Sequence, residues 1–236
     1  MTGVLARTGS ALRDGLADAR SAWRAPYALA LALFAAACAL PWFAPGWIHV
    51  DELAAWLYLA LSASGLVVAV GLAGLPSLGQ GAFMTAGALT TGLLVARAGW
   101  PAEATVPVAV AVALAAGAAG GLAVVRLSPL ALAVSTWILT WLAFLGALAF
   151  PGISGGAQGY VVGSGPSPTG HYELGLVLCA VAVVALSALR RSATGIRLRA
   201  VRDRAAAATS LGVPGERLLA GAFAAAAAVG GLAGSL

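Results

Sequence analysis

The chain has 236 residues, of which 61% are hydrophobic and only 9% charged, with a net charge of +5 and a mean hydropathy of +0.96. That composition excludes a water-solvated core and defines a protein whose solvent is lipid. The positive charge does not indicate nucleic acid, because no basic domain with interleaved polar surface and no recognition motif is present. All 13 basic residues are arginine, which removes the lysine of a phosphate-binding loop, a Schiff base or a lysine general base.

Residues 1–25 place Leu5, Leu12, Leu16 and Trp23 near one helical face, with Arg13, Arg20 and Arg24 beside it. This predicts an amphipathic segment on the cytoplasmic surface and not a cleaved signal peptide, because the charged region is long and the apolar run ends in Trp42 and Phe43. From residue 26 to 236 the sequence predicts an all-α, polytopic transmembrane helical bundle. Seven apolar segments fall near 27–44, 53–74, 81–96, 104–125, 130–150, 174–189 and 218–236. The third and sixth are short for a full crossing, which makes each a candidate for a tilted, half-spanning or re-entrant segment.

Threading seven crossings with the N-terminus inside puts every arginine except Arg97 on the cytoplasmic side, the asymmetry expected of a cytoplasmic face. Trp42, Phe43, Trp47 and Trp100 then fall at the outer interface as an aromatic belt. Gly117 with Gly121, and Gly230 with Gly234, have the spacing that lets helix backbones approach closely. Cys38 and Cys179 lie inside apolar runs and read as small buried hydrophobes.

Between the second and third segments, Gly74, Pro76, Ser77, Gly79, Gln80 and Gly81 interrupt the apolar pattern. A helix broken at membrane depth exposes backbone groups, so Ser77, Gly79 and Gln80 are candidates to line a translocation path; a tight cytoplasmic turn is the alternative. In the fifth segment Thr136 and Thr140 stand one turn apart on one face. They line the same path or bond back to their own helix. No acidic residue sits at central depth, which leaves a proton relay without a carrier.

GISGG at 152–156 matches a G-x-S-x-G serine motif, with His171 in the same predicted outer loop as a possible base. An intramembrane serine protease is therefore the enzymatic alternative, although Ser154 follows Pro151 in a loop. A hydrogen-bonding loop near a solute entrance is the favoured reading. His49 and His171 are too isolated for a metal site.

The segment SATGIRLRAVRDRAAAATSLGV, 192–213, crowds Arg197, Arg199, Arg202, Asp203 and Arg204 into eight residues. Leu198, Val201, Ala205 and Ala208 form an apolar stripe with arginines along both edges, and Gly195 and Gly212 bracket the predicted helix. Attraction to anionic membrane lipid would account for such a helix by charge alone.

SLGQGAF with the following GALTTGLL, then RLSPLALAVSTWILTWLAFLGALAF, SGGAQGYVV, the basic segment and LLAGAFAAAAAVGGLAGSL, in that order over about 60–236, resemble the permeases of branched-chain amino acid ABC importers. The resemblance implies a permease subunit of the cell inner membrane, with no cofactor of its own. It would pass branched-chain amino acids or similar small amphipathic solutes, with an external solute-binding protein, a second permease chain and two ATP-binding subunits as partners. It makes 190–217 the ATPase-coupling loop, carried by Gly195, Arg197, Leu198, Arg199, Val201, Arg202, Asp203, Ala208, Leu211 and Gly212, and it places Gly155 and Gly156 in an outer loop beside the path. Two positions depart from the family pattern: Ala205 and Ala206 stand where a glutamate precedes a double alanine, and Ile196 where an arginine follows the first glycine. Related permeases continue past the last segment, so a truncated remnant or a non-transporting membrane scaffold is the remaining expectation.

Overall fold

The computed structural model describes residues 34–41, 49–124, 126–156, 159–160 and 167–236. The chain divides into two compact units, Met1–His49 and Val50–Leu236. In the first, residues 34–41 form a helix, α1; the amphipathic segment 1–25, the rest of the first predicted span and three members of the aromatic belt lie outside the described residues.

Among the described residues of the second unit, all regular secondary structure is helical. Its elements are α2 (Val50–Leu66) running into a π-helical turn (Val67–Leu72), α3 (Gln80–Ala98), α4 (Ala102–Val124), α5 (Pro129–Ala149), the short α6 (Pro151–Ser154), α7 (Pro168–Arg191), α8 (Ala193–Asp203), α9 (Ala205–Ser210) and α10 (Gly215–Ser235). Local chemistry sets several of their starts. Asp51 and Glu52 sit in the first turn of α2, where the helix dipole favours negative charge. Ser128 and Ser167 each precede a proline at the first helical position, and their hydroxyls accept from the N–H groups of Ala131 and Gly170 at 3.3 and 3.2 Å. Ser192 caps α8 in the same way through Gly195 N–H at 3.2 Å. Helix α3 stops at Gly99, whose φ of 66° is left-handed.

Five of these helices, those beginning at Val50, Ala102, Pro129, Pro168 and Gly215, are long and apolar enough to cross a membrane. The Ser167 cap carries α7 back to Pro168, so the sixth predicted segment is a 24-residue helix and not a short one. Helix α3 has 19 residues but is diluted by Gln80, three threonines and Arg97, and it falls outside that set.

Packing is organised around α10, which touches α2, α3 and α4, while α2 pairs with α7 and α3 with α4 and α5. In α10, 56% of the most apolar window is buried, against 11% in α5. Small residues allow this. A Cβ on Gly87 of α3 would meet the backbone of Gly231; one on Gly234 would meet the backbone of Met84; one on Gly121 of α4 would lie 3.0 Å from Ala220 O. Gly117, Gly121, Gly230 and Gly234 thus all stand at close approaches, as their spacing predicts. A core of Val68, Leu72, Leu75, Phe83, Leu132, Leu198 and Phe223 closes one end of the bundle, with Phe83 and Phe223 edge to face at 5.6 Å.

Candidate functional site

The break between the π-helical turn and α3 is built from backbone groups that the sequence leaves without helical partners. Ala73 N–H donates to Val68 O, five residues back, at 3.1 Å, and Leu75 N–H reaches Ala69 O at 2.9 Å. Gly74 takes a φ of 72°, and Pro76 has no N–H to offer. The chain then leaves the helix until Gln80.

Other helices satisfy this stretch. Leu78 N–H donates to Thr136 Oγ1 at 2.9 Å, and Thr140 Oγ1 donates to Leu78 O at 2.9 Å, so two threonines of α5 hold both backbone groups of one residue. Thr136 and Thr140 also bond to their own helix, at Leu132 O (2.8 Å) and Thr136 O (3.2 Å). Ser77 Oγ accepts from Gly79 N–H at 3.3 Å. The Gln80 amide donates from Nε2 to Ser62 O on α2 (2.9 Å) and to Ala226 O on α10 (3.1 Å). Gly65 and Gly230 make room for it, because a Cβ at either would stand 2.8 or 2.9 Å from Nε2.

These contacts give the depth of the break. Ser62 precedes the end of the π-helical turn by ten residues, and Thr140 and Ala226 each lie eleven residues inside their helices, so all three stand about 15 Å from the end where those helices meet the arginine-rich segments. Helix α3 therefore starts about halfway along the neighbouring helices, reached by the irregular residues before it.

The opposite end holds a cavity of about 730 Å³ lined by α3, α4, α5, α7 and α10, with Thr85, Thr91, Glu103, Phe144, Ser154 and His171 on its wall. The loop after α6 borders it and is tied to α3. Arg97 Nη2 donates to Gly152 O, the Tyr160 ring lies against Gly92, and Tyr160 OH donates to Gly152 O at 3.3 Å. Gly155 and Gly156 turn this loop with φ of 76° and 71°.

Ser154 and His171 share that wall, but each has other partners. Ser154 Oγ donates back to α5 at Ala147 O, with Phe150 O at 3.2 Å, and accepts from Gly156 N–H at 3.0 Å. Tyr58 OH lies 3.0 Å from both the Nδ1 and the carbonyl of His171. No hydrogen bond joins the serine to the histidine among the described residues, and the serine serves as a turn-closing hydroxyl.

The basic segment differs from the single amphipathic helix that its pattern predicts. It breaks at Arg204 (φ −149°) into α8 and α9.

 The break falls at the last arginine of the cluster. Leu198 (2% exposed), Val201 (6%) and Ala208 (3%) point into the chain's own bundle, with Leu198 among the core residues Val68, Leu72 and Phe223. Three of the four residues of the expected stripe are therefore internal packing and not a free face; the fourth, Ala205, is exposed. The outward residues include Ile196, Arg197, Arg204, Ala205 and, at the tip, Leu211, 83% exposed. Arg199 donates from Nη2 to Arg190 O at 3.1 Å, closing the end of α7. Arg202 donates from Nη1 to Gly71 O and from Nε to Asp203 at 2.9 Å. Gly195 is buried in the first turn of α8, where a Cβ would meet the Leu189 backbone, and Gly212 ends α9 with φ 78°.

The structure thus gathers Ser77, Gly79, Gln80, Thr136 and Thr140 at one depth and leaves Gly155 and Gly156 at the opposite end. It adds residues that periodicity does not reveal, Gly65 beside the Gln80 amide and Gly71 under Arg202, and gives Gly230, marked by its spacing, the same amide as neighbour. The proline at 76, which removes a donor, is the one local signal of an uncapped helix end.

Five apolar helices of spanning length, with a shorter helix that starts partway along them, define a multi-pass helical membrane protein. The chain belongs to the family described as branched-chain amino acid transport system permease component, which it matches over residues 50–236. No curated protein and no solved structure is similar enough to count as a match.

Proposed function

We propose that this chain is the membrane subunit of an ABC importer for branched-chain amino acids or similar small amphipathic solutes. An external binding protein delivers the solute, separate ATP-binding subunits drive transport, and a second permease chain completes the pathway. The chain lies in the cell inner membrane with its N-terminus cytoplasmic and needs no cofactor. Ser77, Gly79, Gln80, Thr136 and Thr140 border the path at mid-depth, and the cavity beside Gly155 and Gly156 is its outer vestibule. The segment 190–217 is the ATPase contact, presenting Ile196, Arg197, Arg204 and Leu211.

One observation carries this reading beyond family membership: the basic segment returns to the end of the helix before the break, so the surface available to a cytoplasmic partner adjoins a discontinuity in the bundle. Discontinuous helices at mid-depth are where transporters place solute contacts.

The test is reconstitution with the cognate ATP-binding subunits, binding protein and second permease chain. ATP-dependent uptake of radiolabelled leucine or a related solute, lost when the ATPase is inactivated, supports the proposal. Failure of the chain to co-purify with any ATP-binding subunit would overturn it.

A further inference from the structure

The carbonyl of Gly71 is an orphan by construction. In an α-helix it would receive the N–H of Leu75, but that group is spent on Ala69 O at 2.9 Å; in a π-turn it would receive the N–H of residue 76, which is proline. Ala73 and Gly74 N–H donate to Val68 O and Val70 O at 3.1 and 3.2 Å. The missing donor comes from 131 residues away, where Arg202 of α8 gives Nη1 to Gly71 O. Asp203 holds Nε of the same guanidinium at 2.9 Å. Gly74 is shaped to this contact: its φ is 72°, and a Cβ there would run into Arg202 Cγ and stand 3.0 Å from Cδ.

We propose that Arg202 is a positioning residue that caps the broken helix from the cytoplasmic segment, so that displacement of α8 is transmitted to the discontinuity. This rests on the reading of 190–217 as the ATPase contact. The physics is that of a helix C-terminus: a cation there completes an unpaired carbonyl and opposes the negative end of the dipole. Withdrawing α8 uncovers Gly71 O, and the turn at Ala73–Gly74 loses its lid. Four residues beyond Gly74 lies Leu78, whose N–H and C=O are both held by α5. The disturbance therefore passes to the Thr136–Thr140 face with little slack between.

The experiment combines Arg202→Ala, Gly74→Ala, the double variant and Arg202→Lys. Hydrogen exchange at Ala73, Gly74 and Leu75 is measured in the purified chain, and solute imported per ATP hydrolysed is measured in the reconstituted importer. Arg202→Ala is expected to raise exchange and to lower import per ATP, each about tenfold, the scale of an ordinary coupling between sites. Gly74→Ala should do the same by displacing the arginine stem, and the double variant should be no worse than either single one. Arg202→Lys keeps a cation and a donor and should fall between; it carries the test if the alanine variant does not fold. Unchanged exchange in Arg202→Ala would overturn the cap. Raised exchange with unchanged import per ATP would overturn the transmission. A wild-type chain that neither binds an ATPase nor imports would overturn the permease reading and the transmission with it, while the exchange result still decides the cap.

Discussion

The Gln80 amide stands 2.9 Å from Ser62 O and donates equally to Ala226 O at 3.1 Å, so one side chain at the start of α3 joins two other helices through their backbones. A carbonyl inside a helix already has its intrahelical donor and is open to a second one. Only a side chain with two N–H groups meets both acceptors at once.

Gln80→Ala should therefore lower stability by about 1–3 kcal/mol, since two modest hydrogen bonds are lost and a small void is left. Gln80→Glu should be worse despite its size, because an ionised carboxylate has no donor and would face two carbonyl oxygens. Thermal unfolding in detergent checks the order wild type, alanine, glutamate; a glutamate variant as stable as wild type would contradict the donor assignment.

The close helix crossings make a contrast among glycines. Gly87→Ala drives a methyl into the Gly231 backbone, which cannot move aside as a side-chain tip can. Gly146 on α5 has nothing within 4 Å. Gly87→Ala should destabilise by about 2 kcal/mol or more through overpacking, while Gly146→Ala should be neutral or slightly stabilising through helix propensity. Denaturation of the two variants side by side measures the difference.

In the basic segment, burial separates fold from contact. Leu198→Asp or Val201→Asp buries a carboxylate in the bundle's own core, with a cost of several kcal/mol, so the yield of folded chain should collapse. Leu211→Asp, at a tip 83% exposed, should leave unfolding unchanged and weaken co-purification with the ATP-binding subunit. Loss of folded chain in the Leu211 variant would show that this tip packs within the protein.

The arginine asymmetry predicts accessibility. With Cys38 and Cys179 replaced, a cysteine at position 49 should react with an impermeant thiol reagent in intact cells, and one at 206 only after permeabilisation. Labelling of 206 in intact cells would reverse the orientation.

The sequence by itself determined the lipid solvent, the helical class and the place of the break, because each is written in local composition, apolar runs and the glycine and proline at 74–79, while the family was legible as a resemblance of ordered motifs over about 60–236. It also marked Thr136, Thr140 and Gln80 as polar residues in need of partners. Only the tertiary structure decided who those partners are. Leu78 finds α5, Gln80 finds α2 and α10, and Gly71 finds Arg202, at sequence separations of 18 to 146 residues that no periodicity encodes. The stripe of Leu198 and Val201 shows the same limit. Helical spacing fixes that they share a face, but whether that face meets a partner or the chain's own core depends on where the preceding helix delivers it.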